Sequence, residues 1–416
     1  MRIIIFLVAS ISFAASFTVY SQEAYSGSDK VDVLNIQDEI LLKQSLYHTG
    51  DLSRIKTVLT KAERGEDIVV GVIGGSITMG ASASTAPEDR WANLVAKWFC
   101  DKYPDITVRF YNAGIGATNS TFGAMRAWTD LLQYKPDFVV FEYSINDNGN
   151  ERRQESSEGL LRQLLNSEPN PGVVMLGMMN RWGDNVQDKH LPLAQHYDIP
   201  FVSFRNVCEP LIKEGSISPE QVLADAVHPN TTGHLLTAKI INLVLESAYN
   251  SENRSKTEIE KLPAPLFTDM FENVEFMRAP DMKFKLNKGW ELIAHDASLN
   301  AHWRLHGKRI IGKVWNTTEI GSKLEFEYEG TFLSLSYYVY KATIPKANIK
   351  VIIDGKNYGV VKGTGEQTWG GLSKTIILGE ELTLGKHEVV IELLPSEGIE
   401  DGENGFDIVA LGFGTK

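Results

Sequence analysis

The chain falls into two parts that differ in the spacing of their hydrophobic residues. Up to about residue 248, short runs of apolar residues alternate with segments in which apolar residues recur every three or four positions. This alternation predicts a doubly wound sheet of buried parallel strands with right-handed helical crossovers. The predicted strands are 68–74, 107–111, 138–143, 173–176 and 201–204. The predicted helices are 51–64, 91–99, a helix ending at 132, 160–165, 190–197 and 232–248.

Beyond residue 265 the period changes to two, which is typical of antiparallel strands with one buried face. Two hairpins are predicted. One joins 323–328 to 332–337 across Glu329-Gly330, and the other begins at 349–353 and turns at Asp354-Gly355. With further strands at 387–393 and 406–411, this half is expected to form an all-β, jelly-roll-like sandwich of two sheets.

A polar stretch with Pro263 and Pro265 separates the two patterns and marks a domain boundary. A chain of 416 residues is also longer than one domain usually is. The predicted organisation is a signal peptide at 1–22, an α/β domain with an N-terminal helical extension at 23–250, a linker at 251–265 and an accessory β-sandwich at 266–416.

The N-terminus begins with Met1-Arg2 and continues with an apolar run and then small residues, the pattern of a cleaved secretory signal. It predicts a secreted or periplasmic protein, and no later segment is apolar for long enough to enter a membrane. A formal charge of −12 argues against nucleic acid as a partner. Cys100 and Cys208 allow one disulfide without establishing it, and no Cys/His cluster indicates a metal.

Polar or glycine-rich loops follow the first three predicted strands, and another precedes the last helix. They carry Ser76, the Gly114/Gly116 pair, Asn146, and the segment that contains Asp225 and His228. In a doubly wound sheet, ligands bind beyond the carboxyl ends of the strands. The four loops therefore open on one edge of the sheet and predict a site there.

These residue types together suit nucleophilic catalysis. A serine hydroxyl becomes a good nucleophile when an imidazole takes its proton, which gives Ser76 the role of nucleophile and His228 that of general base. Asp225 would hold the imidazole in one tautomer. The backbone N–H of Ser76, an N–H near Gly116 and the amide of Asn146 would stabilise the oxyanion.

Each motif also has a simpler interpretation. The motif of Ser76 taken alone favours a helix N-cap, and Asp225 and His228 before Pro229 are as consistent with a helix cap that carries a solvated His. Asn146 taken alone favours an ordinary turn residue over an oxyanion donor. A dinucleotide loop at Gly114-Ile115-Gly116 is excluded, because Asn119 replaces the third glycine and no suitable acidic residue follows the next strand.

The four blocks 74–78, 112–116, 144–147 and 225–229 together resemble those of the SGNH/GDSL hydrolases, over roughly residues 50–248. The resemblance implies a flavodoxin-like, three-layer α/β/α fold and ester hydrolysis by Ser, Gly, Asn and His without a metal ion or a cofactor. The first block has Gly-Ser-Ile where many members have Gly-Asp-Ser. The spacing in the second block leaves Gly116 or Ala117 at the oxyanion position.

A secreted member of this family with a β-sandwich resembles carbohydrate esterases that remove acetyl groups from polysaccharides. An acylated glycan is therefore the expected substrate, with Trp290, Trp303, Trp315 and Trp369 either stacking on sugars or packing in the sandwich core. Two alternatives stay open. One is a lipid esterase or lysophospholipase of the same fold, and the other is a glycan-binding protein with an inactive hydrolase domain. The sequence does not indicate the oligomeric state.

Overall fold

The computed structural model describes residues 32–83, 86–252, 261–295, 304–305, 308–309 and 312–415. The predicted signal peptide, Trp303 and part of the predicted linker lie outside these residues. The helices are α1 (Asp38–Ser45), α2 (Ser53–Glu63), α3 (Ser76–Met79), α4 (Trp91–Lys102), α5 (Ser120–Asp130), α6 (Glu151–Asn166), α7 (Gln187–His196), α8 (Phe204–Lys213) and α9 (Thr231–Asn250). None of the described helices is long and apolar enough to cross a membrane.

The first domain is built on one six-stranded sheet. Its strands are β1 (Leu46–His48), β2 (Ile68–Gly74), β3 (Val108–Gly114), β4 (Phe138–Glu142), β5 (Gly172–Gly177) and β6 (Phe201–Ser203). Their spatial order is β1-β6-β5-β4-β2-β3, and all neighbours from β6 to β3 are parallel. Counted along the chain, the parallel strands lie in the order 2-1-3-4-5, which is flavodoxin-like. The predicted doubly wound fold is confirmed.

The short antiparallel edge strand β1 was not predicted from the sequence. The order of the sheet reverses between β2 and β4, because β3 lies outside β2 while the later strands lie beyond β4. A crevice forms beyond the carboxyl ends of the strands at such a switch point. The loops that carry Ser76 and Asn146 leave the sheet at that place.

The sheet is buried on both faces because successive side chains of each strand point to opposite sides. Val140 and Val174 join a core with the helices α2, α4, α8 and α9. Val139 and Val173 join a second core with α5, α6 and α7. This arrangement gives the three layers that the resemblance implies.

The described part of the second domain consists of two large antiparallel sheets and a two-stranded antiparallel sheet of β10 and β11. Its strands are β7 (Val274–Arg278), β8 (Leu286–Lys288), β9 (Glu291–Ala294), β10 (Arg304–Leu305), β11 (Lys308–Arg309), β12 (Lys313–Thr317), β13 (Lys323–Gly330), β14 (Leu333–Val339), β15 (Asn348–Ile353), β16 (Lys356–Lys362), β17 (Leu372–Leu378), β18 (Gly385–Leu394) and β19 (Phe406–Gly414). One sheet has the order β17-β14-β19-β12-β9, with β7 also paired to β19, and the other has the order β16-β15-β18-β13-β8. Leu335 and Ile408 from the first sheet share a core with Phe326 and Val351 from the second. The predicted sandwich is confirmed.

One of the two predicted hairpins is wrong. The strand β13 pairs with β18 and β8, whereas β14 pairs with β17 and β19, so the chain crosses from one sheet to the other around Thr331. The alternation of apolar and polar residues does not distinguish these arrangements, because it indicates which side chains share a face of a strand and not which strand lies beside it. The second hairpin is confirmed: β15 pairs with β16 across Asp354 (φ 51°) and Gly355 (φ 77°), the positive φ angles of a type I′ turn.

The tryptophans named as sugar-stacking candidates lie in different environments. Trp290 is buried in the sandwich core, and Trp315 packs against the same core while its indole N–H donates to the carbonyl of Ala279 (2.7 Å). Trp369 is exposed. Trp290 and Trp315 therefore contribute to packing of the sandwich core.

Cys100 and Cys208 are free thiols, the first exposed and the second buried.

The two domains share an apolar interface. Phe271 and Phe332 are fully buried in the core formed with α5, α6 and α7. Gly159 of α6 permits this approach, because a Cβ there would lie 2.2 Å from the Cβ of Phe271. The side chain of Gln163 donates to the carbonyl of Phe271 (2.6 Å). The sandwich is thus packed onto the first domain, while the predicted domain bounds stay a prediction.

Candidate active site

Ser76 lies at the start of α3, directly after β2. Its side chain is buried, and the residue is 8% exposed. The two residues before it are glycines because a Cβ at either position would clash with neighbouring atoms. A Cβ on Gly75 would lie 2.1 Å from Oδ1 of Asn146, and a Cβ on Gly74 would lie 2.4 Å from the carbonyl oxygen of Glu142. The two glycines therefore bring the loop after β4 into contact with the turn that carries Ser76.

His228 contacts Ser76 across the mouth of this crevice. Its Nε2 lies 2.9 Å from the Ser76 hydroxyl oxygen, and its Nδ1 lies 2.8 Å from Oδ2 of Asp225. The imidazole side chain is 26% exposed and the carboxylate 50%. The three side chains form one continuous hydrogen-bonded chain, the arrangement in which an imidazole relays a proton from a serine.

Asp225 is fixed by its own loop. Its Oδ1 accepts the backbone N–H groups of Val227 and His228, each at 2.8 Å. Partial burial raises the pKa of Asp225, but these two hydrogen bonds and the one from the imidazole outweigh it, so its pKa lies below the usual value. The carboxylate is therefore ionised at neutral pH and is suited to stabilise a protonated His228.

Asn146 and the loop after β3 adjoin the same turn. Oδ1 of Asn146 is buried and has no hydrogen-bond partner among the described residues. Ile115 donates its N–H to the carbonyl of Gly74 (3.0 Å), and Gly114 lies so close to α3 that a Cβ there would be 2.3 Å from the N of Met79. Gly116 follows in this packed loop and is buried, while Ala117 has a positive φ of 57°. Both stay candidates for the second oxyanion donor.

The structure thus brings Ser76, His228 and Asp225 into direct contact and places Asn146 beside the turn of Ser76. Residues 72–236 match the model of the GDSL-like Lipase/Acylhydrolase family. Over these residues the first domain is similar to the GDSL family. The protein is a carboxylic ester hydrolase.

Solved structures extend this likeness to both domains. A two-domain esterase, CEX, active on acetylated mannans, is 28% identical, with a TM-score of 0.79 over 89% of this chain and 98% of that chain. The structure of a two-domain esterase, CEX, co-crystallised with mannopentaose is 28% identical, with a TM-score of 0.78 over 89% of this chain and 97% of that chain. Among curated proteins, thioesterase 1/protease 1/lysophospholipase L1 of Escherichia coli (strain K12) is 27% identical over 169 residues, 38% of this chain and 74% of that protein.

Arg126, which sequence reasoning missed, lies beneath the loops of the candidate active site. It is completely buried in α5, and its Nη2 donates to the carbonyls of Gly74 (3.3 Å) and Ala113 (2.8 Å) and to the hydroxyl of Tyr143 (3.0 Å). These three acceptors immediately precede the loops of Ser76, Gly116 and Asn146. One guanidinium therefore holds the ends of three strands together.

The charge of Arg126 is balanced by a carboxylate that also reaches the second domain. Nη1 of Arg126 donates to Oδ2 of Asp130 (3.0 Å), and Oδ1 of Asp130 accepts from Arg278 of β7 (2.6 Å). Burial lowers the pKa of Arg126, but Tyr143 and Asp130 outweigh it, so the group stays charged. The sequence signal is an Arg and an Asp four residues apart in an otherwise uncharged helix.

Asp147 fixes the loop of Asn146 from the other side. This buried carboxylate accepts the N–H of Ser120 (2.9 Å) and the hydroxyl of Ser157 (2.9 Å), and its Oδ2 lies 3.1 Å from Nε2 of His190. It therefore joins the helices α5, α6 and α7 directly beside Asn146. Sequence reasoning had grouped Asp147 with the third block without giving it a role.

Glu142, at the end of β4, is a buried carboxyl group between the loops that carry Ser76 and Asn146. Burial raises the pKa of Glu142 from 4.5 to about 7, although it accepts hydrogen bonds from the hydroxyls of Thr78 (3.2 Å) and Ser144 (3.3 Å), which lower it. Glu142 is thus largely protonated in the folded protein below neutral pH.

We expect this group to make the protein less stable as the pH rises. Between pH 4.5 and about 7, the unfolded chain has lost the Glu142 proton while the folded chain keeps it. The free energy of unfolding therefore falls across this interval, by about 3 kcal/mol for this group. Glu142→Gln should remove that loss, so urea unfolding should show similar stability to wild type at pH 4 and higher stability at pH 8. A variant with the wild-type pH dependence would contradict this assignment.

Proposed function

We propose that this enzyme is a serine esterase that removes O-acetyl groups from a polysaccharide or oligosaccharide without a metal ion. Ser76 is the nucleophile, His228 the general base and Asp225 the residue that orients it. The backbone N–H groups of Ser76 and Gly116 and the amide of Asn146 form the oxyanion hole. The observation that carries this proposal is the chain of contacts from Asp225 through His228 to Ser76, at 2.8 and 2.9 Å.

The reaction proceeds in two halves. The Ser76 oxygen attacks the acetyl carbonyl carbon while Nε2 of His228 takes the hydroxyl proton, and the carbonyl electron pair becomes the oxyanion. Collapse of this intermediate breaks the bond to the sugar oxygen, which receives the proton from His228. Water, deprotonated by His228, then attacks the acetyl-Ser76 ester and releases acetate with return of the proton to Ser76. The ionised Asp225 stabilises the imidazolium in both halves.

An acetylated glycan is the proposed substrate because the likeness to the mannan-active esterase spans both domains. We take acetylated mannan as the first polymer to test. The loop after α3 begins with Ala81, Ser82 and Ala83, small residues that offer little wall for a long acyl chain. The signal-like N-terminus supports action outside the cytoplasm.

A lysophospholipase of the same fold is the second candidate, because the curated Escherichia coli relative carries that activity in its name. The two candidates use the same catalytic residues and differ in the acyl group that they accept. A long acyl chain needs an apolar channel beside the nucleophile, whereas an acetyl group does not. Acyl-chain preference therefore separates them.

We expect the purified enzyme to release acetate from nitrophenyl acetate and from acetylated mannan, and to hydrolyse nitrophenyl octanoate poorly. The small residues after α3 are the reason for this preference. Initial rates across a nitrophenyl ester series, with acetate release from the polymer, make the measurement, and addition of EDTA serves as the control for a metal. Faster hydrolysis of octanoate would favour the lipid esterase, and loss of activity in EDTA that a divalent ion restores would contradict the metal-free mechanism.

A further inference from the structure

A large apolar side chain stands exposed on the loop that follows β5. Trp182 is 67% exposed, although an indole ring gains free energy from burial. The strand β5 lies next to β4 in the sheet, so this loop leaves the same edge as the loop of Asn146. An exposed tryptophan at that edge faces solvent where the polymer is proposed to bind.

The loop is built to hold its shape. Oδ1 of Asn180 accepts the N–H groups of both Trp182 and Asp184, each at 2.9 Å. The backbone N–H of Asn180 donates to the carbonyl of Asp184 (3.1 Å), and Gly183 supplies the positive φ of 82° that this tight turn requires. The backbone that carries Trp182 is therefore fixed before any ligand arrives.

The same loop is bonded to two catalytic loops. The N–H of Arg181 donates to the carbonyl of Ala226, which lies between Asp225 and His228 (2.9 Å). The N–H of Val186 donates to the carbonyl of Ser144, two residues before Asn146 (2.9 Å). Trp182 thus lies on a segment that is hydrogen-bonded both to the loop of Asp225 and His228 and to the loop of Asn146.

We propose that Trp182 is a stacking platform for a pyranose ring of the polysaccharide, close to the sugar whose acetyl group is removed. This inference rests on the proposed function. A pyranose has a face of C–H groups that packs on an indole ring, while its hydroxyls stay in water at the ring edge. A platform of this kind binds the polymer and makes no contact with a small nitrophenyl ester, so it acts on substrate affinity.

Two other exposed tryptophans provide a matched comparison. Trp128, 62% exposed, lies near the carboxyl end of α5, and Trp369, 65% exposed, lies between β16 and β17 in the second domain. Parallel strands and their helices run in opposite directions, so the carboxyl end of α5 points away from the edge that carries Ser76. These tryptophans are similarly exposed. What distinguishes Trp182 is that its loop is hydrogen-bonded to two loops of the proposed active site.

The test compares Trp182→Ala, Trp182→Phe and the control Trp128→Ala in the full-length enzyme. We expect Trp182→Ala to raise KM for acetylated mannan oligosaccharides about tenfold with little change in kcat. Trp182→Phe should recover most of this loss, because a smaller aromatic face is restored. All three variants should hydrolyse nitrophenyl acetate at the wild-type rate.

The outcomes separate this inference from the proposed function. If wild type deacetylates the oligosaccharides and Trp182→Ala alters KM no more than Trp128→Ala, the platform is overturned and the esterase proposal stands. A loss of activity on nitrophenyl acetate in Trp182→Ala would also overturn it, because the residue would then support the catalytic loops. If wild type hydrolyses nitrophenyl acetate but no acetylated glycan, the proposed substrate and the platform are both overturned.

Discussion

Replacing Ser76 by alanine should lower kcat/KM for nitrophenyl acetate by roughly 10⁴-fold or more while the protein stays folded. The loss is expected because no other described hydroxyl group contacts His228. His228→Ala should cost nearly as much. The double variant should lose little beyond the larger single effect, because a nucleophile and its base act as one unit.

The fold should survive because the substitution removes one hydrogen bond and leaves the two glycines before it in place. Its cost to the free energy of unfolding is about 1 kcal/mol. Ser82→Ala, an exposed serine in the following loop, is the matched control and should behave as wild type. Near-wild-type turnover by a folded Ser76→Ala protein would remove Ser76 from the role of nucleophile.

The second large effect on activity is expected when Arg126 is replaced, because this residue hydrogen-bonds Asp130 and the ends of three strands. Arg126→Met should lower kcat at least tenfold, because the ends of the strands before three catalytic loops lose their common donor. It should also destabilise the protein by about 3–5 kcal/mol, because Asp130 keeps a buried charge with one partner fewer. Kinetics with nitrophenyl acetate and urea unfolding measure the two effects.

A milder pair of variants tests the same network if Arg126→Met does not fold. Arg278→Met removes the contact that the second domain makes with Asp130, and Arg152→Met removes a different interdomain ion pair, with Glu380. The two arginines are similarly exposed, at 30% and 27%. Arg278→Met should lower kcat with little change in KM, and Arg152→Met should leave both unchanged. Equal effects would contradict a link between the second domain and the catalytic loops.

The sequence predicted the first domain well because its signals are local and repeated. The parallel strands β2, β4, β5 and β6 are short, mostly apolar runs with both faces buried, whereas the edge strand β3 is only partly buried. Each amphipathic helix shows a single apolar stripe. Four loops at one edge then follow from topology alone, and the contact of Ser76 with His228, separated by 152 residues, agrees with that expectation.

The features that the sequence did not predict depend on packing between segments that are distant along the chain. The crossing of the chain between β13 and β14 has the same alternation as a hairpin, so only the pairing in the folded sheets distinguishes them. Arg126 resembles any helical arginine in the sequence, and its role appears only when three strand ends meet it. Trp182 had no place in the sequence argument, because the loop after the fourth predicted strand carried no recognised motif.

The most direct test of the account is to identify the residue that forms the covalent intermediate. The enzyme is incubated with a fluorophosphonate, which phosphonylates an activated serine with loss of fluoride, and is then digested and analysed by mass spectrometry. We expect one adduct, on the peptide that contains Ser76, formed much more slowly in His228→Ala and absent in Ser76→Ala. An adduct on another residue that abolishes hydrolysis, or full hydrolysis by enzyme labelled at Ser76, would contradict it.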